Sequence, residues 1–438
     1  MAPSLTADAA ASLRQYIDDA TKTDKPELPG AILHIVDANN NILFTHGSGQ
    51  TTIPTAQSIG IIHSLSKFVG AIAFLRLVER GFVDLDDPTV VPTLLPELAA
   101  QKVLIGYLEG EDGKKKWQFE DRRGDITPRM LLNHTHGSGH TYLNPLLFSY
   151  LQELGIWDKT NEVADPYGTI LASPLLWHPG THTNYGQGLD WIAVLIERLT
   201  KMSLAEYLQE NIFGPLGLGT MGFEPVYGGD VLSRKENEGK FWPRTLKLDS
   251  SSVNMDTTEL ERKLREDAWP KGKYHAGCLG TGLLSSAEDY ARLLVILLPQ
   301  NGGVDPATGY CLLSPDSVKE IMTPQLPNGI RNNSRSIPAS GASPIVLPVA
   351  LGAPHMDPNG SFGLACGVQG ALRTLQDGKQ GRREGTVYWY GAANTEFWID
   401  DEEGIVVFVN GNYYPWNDQA WMDFVAGVEG RIYEGLSK

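Results

Sequence analysis

Cysteine and positive charge are both scarce in this chain. Three cysteines, Cys278, Cys311 and Cys366, are scattered through 438 residues, without the close pairs of zinc and iron–sulfur sites or the density of a disulfide scaffold. That scarcity predicts a reduced compartment, the cytoplasm. Lys and Arg together number 36 against 52 Asp and Glu, a net charge of −16. Affinity for polyanions rests on cations that neutralise phosphate, so nucleic acid and anionic membrane are excluded as general partners. Long apolar runs are missing too. The greasiest, Leu293 to Leu298, lies beside Glu288, Asp289 and Arg292, far short of the ~20 apolar residues of a membrane helix. The opening MAPSLTADAAASLRQYIDDA has no basic stretch followed by an apolar one and reads as an amphipathic helix, not a secretory signal. No GxSxG occurs, which excludes the nucleophile elbow of the α/β-hydrolases.

What is present is ordinary globular composition, 42% apolar and 20% charged, in a chain long enough for two or three core-sized units or one large domain with an insertion. GAILHIVDANNNILFTHGSG (30–49) places two apolar runs around an Asn-rich turn, the signature of a β-hairpin. GTVYWYGAANTEFWID (385–400) and GIVVFVNGNYY (404–414) are further β-rich runs joined by an acidic turn, with a helical tail from Trp416. Together these predict an α/β (α+β) fold in which both chain ends build one antiparallel sheet flanked by helices. The expected division is a sheet domain of 1–80 and 271–438, a mostly helical insertion of 81–270, and a site between them. Apolar spacing of three and four predicts helices over 64–80, 127–133, 188–200, 203–213 and 286–298, the last opening on the capping-box pattern Ser286-Ala-Glu-Asp289. Residues 109–125 carry six acids and five bases and read as a solvated surface excursion. Residues 324–360 hold seven prolines and four glycines, the chemistry of a long loop that either covers a pocket or forms a variable excursion.

Two motifs can be set aside. Gly217-Leu-Gly219-Thr-Met-Gly222 matches GxGxxG but follows a helix instead of a strand, so it does not read as a dinucleotide site. His134, His136 and His140 sit in a Gly/Ser-rich stretch that supplies turns, where a metal site wants ligands on rigid elements. The informative piece is HSLSKFVGAIAFLRLVERG (63–81). Ser64 and Lys67, three apart at a helix start, project from one face. The helix is apolar on nearly every side and therefore buried. An uncharged lysine held there beside a serine hydroxyl can take its proton, and the helix N-terminus supports negative charge on the attacking oxygen and its adduct. The same spacing also fits an N-cap serine with a lysine reaching for water. Two further pieces favour chemistry: Tyr185 in a Gly-flanked loop just before a helix, and Trp389-Tyr390-Gly391 in an apolar strand, where a glycine lets another group lie against the strand.

With these three pieces in this order, the chain resembles the serine β-lactamase and penicillin-binding-protein family, in particular its esterase and acyltransferase branch. ITPRMLLNHTHGSG (126–139) looks like the branch's ITxRHLLxHTSG, and GCLGTGLLSSAEDYARLL (277–294) like its GGGLxSTAxDYxRFL. Tyr185-Gly-Gln-Gly-Leu-Asp-Trp191, Tyr142-Leu-Asn-Pro-Leu-Leu147 and Pro415-Trp-Asn-Asp418 are most similar to the lovastatin-type side-chain acyltransferases (transesterases) of fungal polyketide pathways. The resemblance implies Ser64 as nucleophile, Lys67 as its base, Tyr185 as second proton carrier, and an oxyanion hole from the backbone N–H groups of Ser64 and Ala392. It places Trp389, Tyr390, Gly391 and Gln187 against the substrate. Trp389 stands where lactamases carry the lysine of KTG, and Gln187 where they carry the Asn of Y-x-N. Both departures point away from β-lactams and peptidoglycan toward neutral esters. The implied activity moves a small acyl group from an ester or thioester, the latter free or on a carrier protein, to the alcohol of an apolar natural product, or to water. No cofactor or metal is called for. The alternatives are a β-lactam or D-peptide hydrolase of the same fold and a noncatalytic ligand-binding relative.

Overall fold

The computed structural model describes residues 2–49, 53–140, 143–156, 166–247, 253–254, 278–327, 357, 359–416 and 418–437. The runs expected to form strands do so because β-branched and aromatic residues pack on a pleated surface covered on both faces. β1 (Gly30–Asp37) and β2 (Ile42–Gly49) form the N-terminal hairpin. β3 (Ser361–Phe362), β4 (Gly367–Val368), β5 (Val387–Gly391), β6 (Thr395–Asp400) and β7 (Ile405–Asn410) come from the other end of the chain. They make one antiparallel sheet in the order β3-β4-β5-β6-β7-β1-β2, with Val407 opposite Ile35 where the two ends meet. The acidic tight turn Asp401–Gly404 joins β6 to β7, and Gly404 adopts the left-handed φ of 70° that such a turn favours.

Helices cover both faces. α1 (Ala7–Thr21), capped by Thr6, packs on β2 and on α5 (Gln419–Gly435). Against the opposite face, Phe68 of α2 (Ser66–Glu79) meets Phe397 of β6, and Tyr290 of α4 (Ala287–Val295) meets Phe397 and Phe408. Ser286 caps α4 by accepting the N–H of Asp289. The α5 side carries a buried ionic group: Arg382 lies over Tyr388 and Trp398 and pairs with Glu396 and Glu429. Removing one member would leave a buried charge uncompensated. Among the described residues no helix is long and apolar enough to cross a membrane.

The charged stretch 109–125 is an excursion of a different kind from a plain loop. Val103–Glu109 and Lys115–Glu120 form a two-stranded hairpin, with Tyr107 and Trp117 in edge contact across it. Its blocks of charge, Lys114–Lys116 and Glu120–Arg123, flank the short Trp117-Gln-Phe119 run and conceal the strand signal. The helix expected over 203–213 runs as α-helix for Leu204–Leu208 and continues as a π-turn, Gln209–Phe213. Gly217 to Met221 lies in the turn beyond, with Gly217 left-handed, and Gly222 opens the short strand Gly222–Phe223, so a helix and no strand leads into the motif. Most of the expected loop, residues 328–356 and 358, lies outside the described residues, as do Tyr142 and Asn417.

α3 (Gly188–Thr200) contributes a stability switch. Glu197 is buried and accepts the N–H of Leu204 at 2.9 Å, and burial pushes its carboxyl from the ordinary 4.5 up to about 7. The folded state therefore holds this proton more tightly than the unfolded chain. The contribution is complete below the unfolded value and is lost as pH rises through the folded one. Glu197→Gln keeps an acceptor for Leu204 and removes the titration. Its melting temperature should match wild type near pH 4 and exceed it at pH 8. Parallel curves at the two pH values would show that Glu197 ionises freely.

Candidate active site

Gly60–Ile61 is a short strand against Leu283–Ser285, after which the chain must reverse into α2. It does so at His63, whose φ of 42° is left-handed. Ser64 follows in a single 3-10 turn, His63–Leu65, and Lys67 enters with the first turn of α2. The three-residue spacing places both side chains on one face, and burial does the rest: Lys67 is 1% exposed, so its amine is turned inward and does not snorkel. Lys67 Nζ donates to Ser64 Oγ at 3.1 Å and to the Gly280 carbonyl at 2.6 Å. Tyr185, reached 121 residues later, donates its hydroxyl to the same Oγ at 2.8 Å. Its ring lies 4.8 Å from Lys67 Nζ, within cation–π range. The serine oxygen thus sits between two groups able to carry its proton.

The third expected piece arrives from the sheet. A Cβ on Gly391 would come within 2.5 Å of the Ile62 carbonyl oxygen and 3.4 Å of His63 Cβ, so only glycine lets the end of β5 close on the turn that presents Ser64. Ala392 follows Gly391 directly in the chain. Trp389 is 2% exposed. Its ring packs 5.4 Å from both Tyr185 and Phe362 and stacks on Tyr390, which stacks in turn on Trp416. An aromatic wall thus stands beside Tyr185. Gln187 is buried at the start of α3, where its backbone N–H donates to Ser138 Oγ.

The histidine-rich loop forms the rear of this wall. His134 lies 4.8 Å from the Tyr185 ring and 5.1 Å from Phe362, and His140 stacks on Tyr185 at 6.1 Å. Burial, and after it the neighbouring Lys67 charge, pushes His134 well below its ordinary value and His140 down to about 3. Burial pushes His136 down to about 4. All three are therefore neutral packing groups at neutral pH. Among the described residues no cluster of His, Cys, Asp and Glu could hold a metal.

Three contributors were not evident from the sequence. Asp190, in the first turn of α3, accepts the N–H of Gly280 at 2.8 Å and the thiol of Cys278 at 3.2 Å. Burial raises its carboxyl above the ordinary range, partly offset by the Lys67 charge and these hydrogen bonds. Gly280 is the link, since its N–H meets Asp190 and its carbonyl holds Lys67. The third is His63. Its place directly before Ser64 was the one available clue, because a bulky residue at a forced reversal is unusual.

A family model described as Beta-lactamase matches residues 13–427 of the chain. Monacolin J acid methylbutanoyltransferase of Aspergillus terreus is 29% identical over 426 residues, 93% of this chain and 92% of that protein. Lovastatin esterase of Penicillium rubens is 27% identical, over 87% of this chain and 88% of the esterase. The structure of unliganded simvastatin synthase (LovD) from Aspergillus terreus, as its selenomethionyl derivative, superposes with a TM-score of 0.76 at 26% identity, covering 98% of both chains.

Proposed function

From the premise that this chain belongs to the beta-lactamase family, we propose that it is a serine acyl-transfer enzyme working through a covalent acyl-enzyme on Ser64. The observation that carries the reading is the double engagement of Ser64 Oγ, by Lys67 at 3.1 Å and by Tyr185 at 2.8 Å. An activated nucleophile with a base in reach is what acyl transfer needs. Ser64 Oγ attacks the carbonyl carbon of an ester or thioester while Lys67, acting as the free amine, takes the hydroxyl proton. The tetrahedral oxyanion is received by the backbone N–H groups of Ser64 and Ala392. The bond to the alcohol or thiol then breaks, Tyr185 passes that leaving group a proton, and Ser64 keeps the acyl chain as an ester. An incoming alcohol, or water, gives up its proton along the same path and releases the serine.

The relatives named acyltransferase and esterase support both outcomes. The aromatic wall of Trp389, Tyr390, Phe362 and Trp416 favours an apolar, uncharged alcohol as acceptor. The donor is a small acyl thioester or ester, free or carried on a protein, and the free thiols of Cys278, Cys311 and Cys366 suit a cytoplasmic setting. Incubation with short acyl thioesters, followed by intact mass spectrometry, should show one acyl group on the protein. Adding an apolar alcohol should discharge it as a new ester faster than water does. If no thioester or ester acylates the protein, while labelled penicillin does, the β-lactam reading replaces this one.

A further inference from the structure

We propose that His63 is a positioning residue for this acyl transfer: its imidazole ties the turn that presents Ser64 to the loop that holds Lys67 and so sets the spacing of the two groups. The inference rests on the acyl-transfer reading above. The left-handed φ at His63 belongs to glycine or asparagine in most chains, because a Cβ crowds the following carbonyl. A histidine kept there, 3% exposed, is held by its side chain. Its Nδ1 shares a hydrogen bond with Thr281 Oγ1 at 2.5 Å, and its Nε2 shares one with the hydroxyl of Tyr414. A neutral imidazole offers one donor and one acceptor, and each hydroxyl can supply the complement.

Both partners matter by position. Thr281 directly follows Gly280, whose carbonyl receives Lys67 Nζ. The chain just before the ring is pinned to the same segment, since Ile62 N–H donates to the Leu283 carbonyl at 3.1 Å. Tyr414 comes from beyond β7 and is fully buried, with its ring 5.6 Å from the imidazole. One ring thus joins the nucleophile turn, the lysine-holding loop and the chain beyond the last strand of the sheet. Ser64 and Lys67 share one segment, but the Lys67 amine is also anchored on Gly280, 213 residues away, so where that amine sits depends on how the two segments are held together. Backbone bonds and Ser66, whose Oγ accepts the Leu283 N–H at 3.1 Å, hold the two segments together on either side, and the ring adds the tie at Thr281 itself.

The test separates the side chain from the backbone. His63→Gly relieves the left-handed φ but deletes a buried ring and its two hydrogen bonds, so it should fold with a lowered melting temperature. We expect kcat for a p-nitrophenyl ester, and the rate of fluorophosphonate labelling, to fall by roughly 10²-fold while KM stays within about threefold, as for a misplaced group. Tyr414→Phe and Thr281→Val leave the backbone alone and should each lower kcat by about tenfold. Tyr414→Phe should add nothing in the His63→Gly background, the mark of a shared interaction. Labelling of His63→Gly at the wild-type rate, or losses that multiply in the double variant, would overturn the inference alone. If His63→Gly does not fold, the two isosteric variants decide, and full activity in both overturns it. A wild-type protein that takes up no phosphonate at Ser64 overturns the acyl-transfer reading and this inference together.

Discussion

Ser64→Ala is expected to abolish covalent labelling by fluorophosphonate and to lower thioester turnover by ~10⁴-fold or more, as loss of a covalent nucleophile does elsewhere. No neighbouring group can replace it. Lys67 and Tyr185 both point at this one oxygen, and the Tyr185 hydroxyl lies 2.8 Å from it. The fold should be little affected. The change removes one half-buried hydroxyl, and Lys67 keeps the Gly280 carbonyl as acceptor. A loss of about 1 kcal/mol or less is the expected scale for one such hydrogen bond. The measurement is intact mass after probe treatment, together with thermal unfolding. Labelling that persists in Ser64→Ala would move the nucleophile elsewhere and remove the basis of the mechanism.

Replacing Lys67 by Met should reduce kcat/KM by ~10²–10⁴-fold, the usual range for a positioned proton carrier. Methionine is the informative choice because Lys67 is buried to 1% exposure, and an alanine there would add a cavity to the chemical loss. The Gly280 carbonyl loses a donor, at a cost of about 1–3 kcal/mol if it stays unsatisfied. A moderately destabilised but folded protein is therefore expected, with an activity loss far larger than its unfolded fraction explains. Activity that falls only in proportion to folding would reduce Lys67 to a brace for the Gly280 loop. In that case Tyr185 would be left as the sole proton carrier.

Much of the fold was legible because its signals are local. The alternation of 30–49 and the β-rich runs of 385–414 mark the strands of the sheet. The all-round apolar character of 66–79 shows a buried helix before any contact is known. The hairpin of Val103–Glu120 was not legible, since blocks of charge flank its few aromatics, whose packing only the folded neighbours reveal. Tyr150 is one of these, in edge contact with Trp117 and Phe119. The triplet His134, His136 and His140 illustrates the reverse. Its composition suggests ligands, and burial against Tyr185 makes it packing.

The sequence by itself determined the chemistry available: a serine and a lysine three apart on a buried helix, a tyrosine ahead of another helix, and a strand ending in glycine. Scarce cysteine and the −16 charge were likewise readable without a structure, as expectations against metal-type cysteine clusters and polyanion partners. Tertiary structure alone decided that these pieces share one oxygen. Ser64 and Tyr185 meet across 121 residues, and His63 and Tyr414 across 351. Spacing fixes geometry only within a helical turn or a strand pair. Across such distances geometry comes from how sheet and helices pack, and that packing brings Gly391 against Ile62 and Gly280 under Lys67.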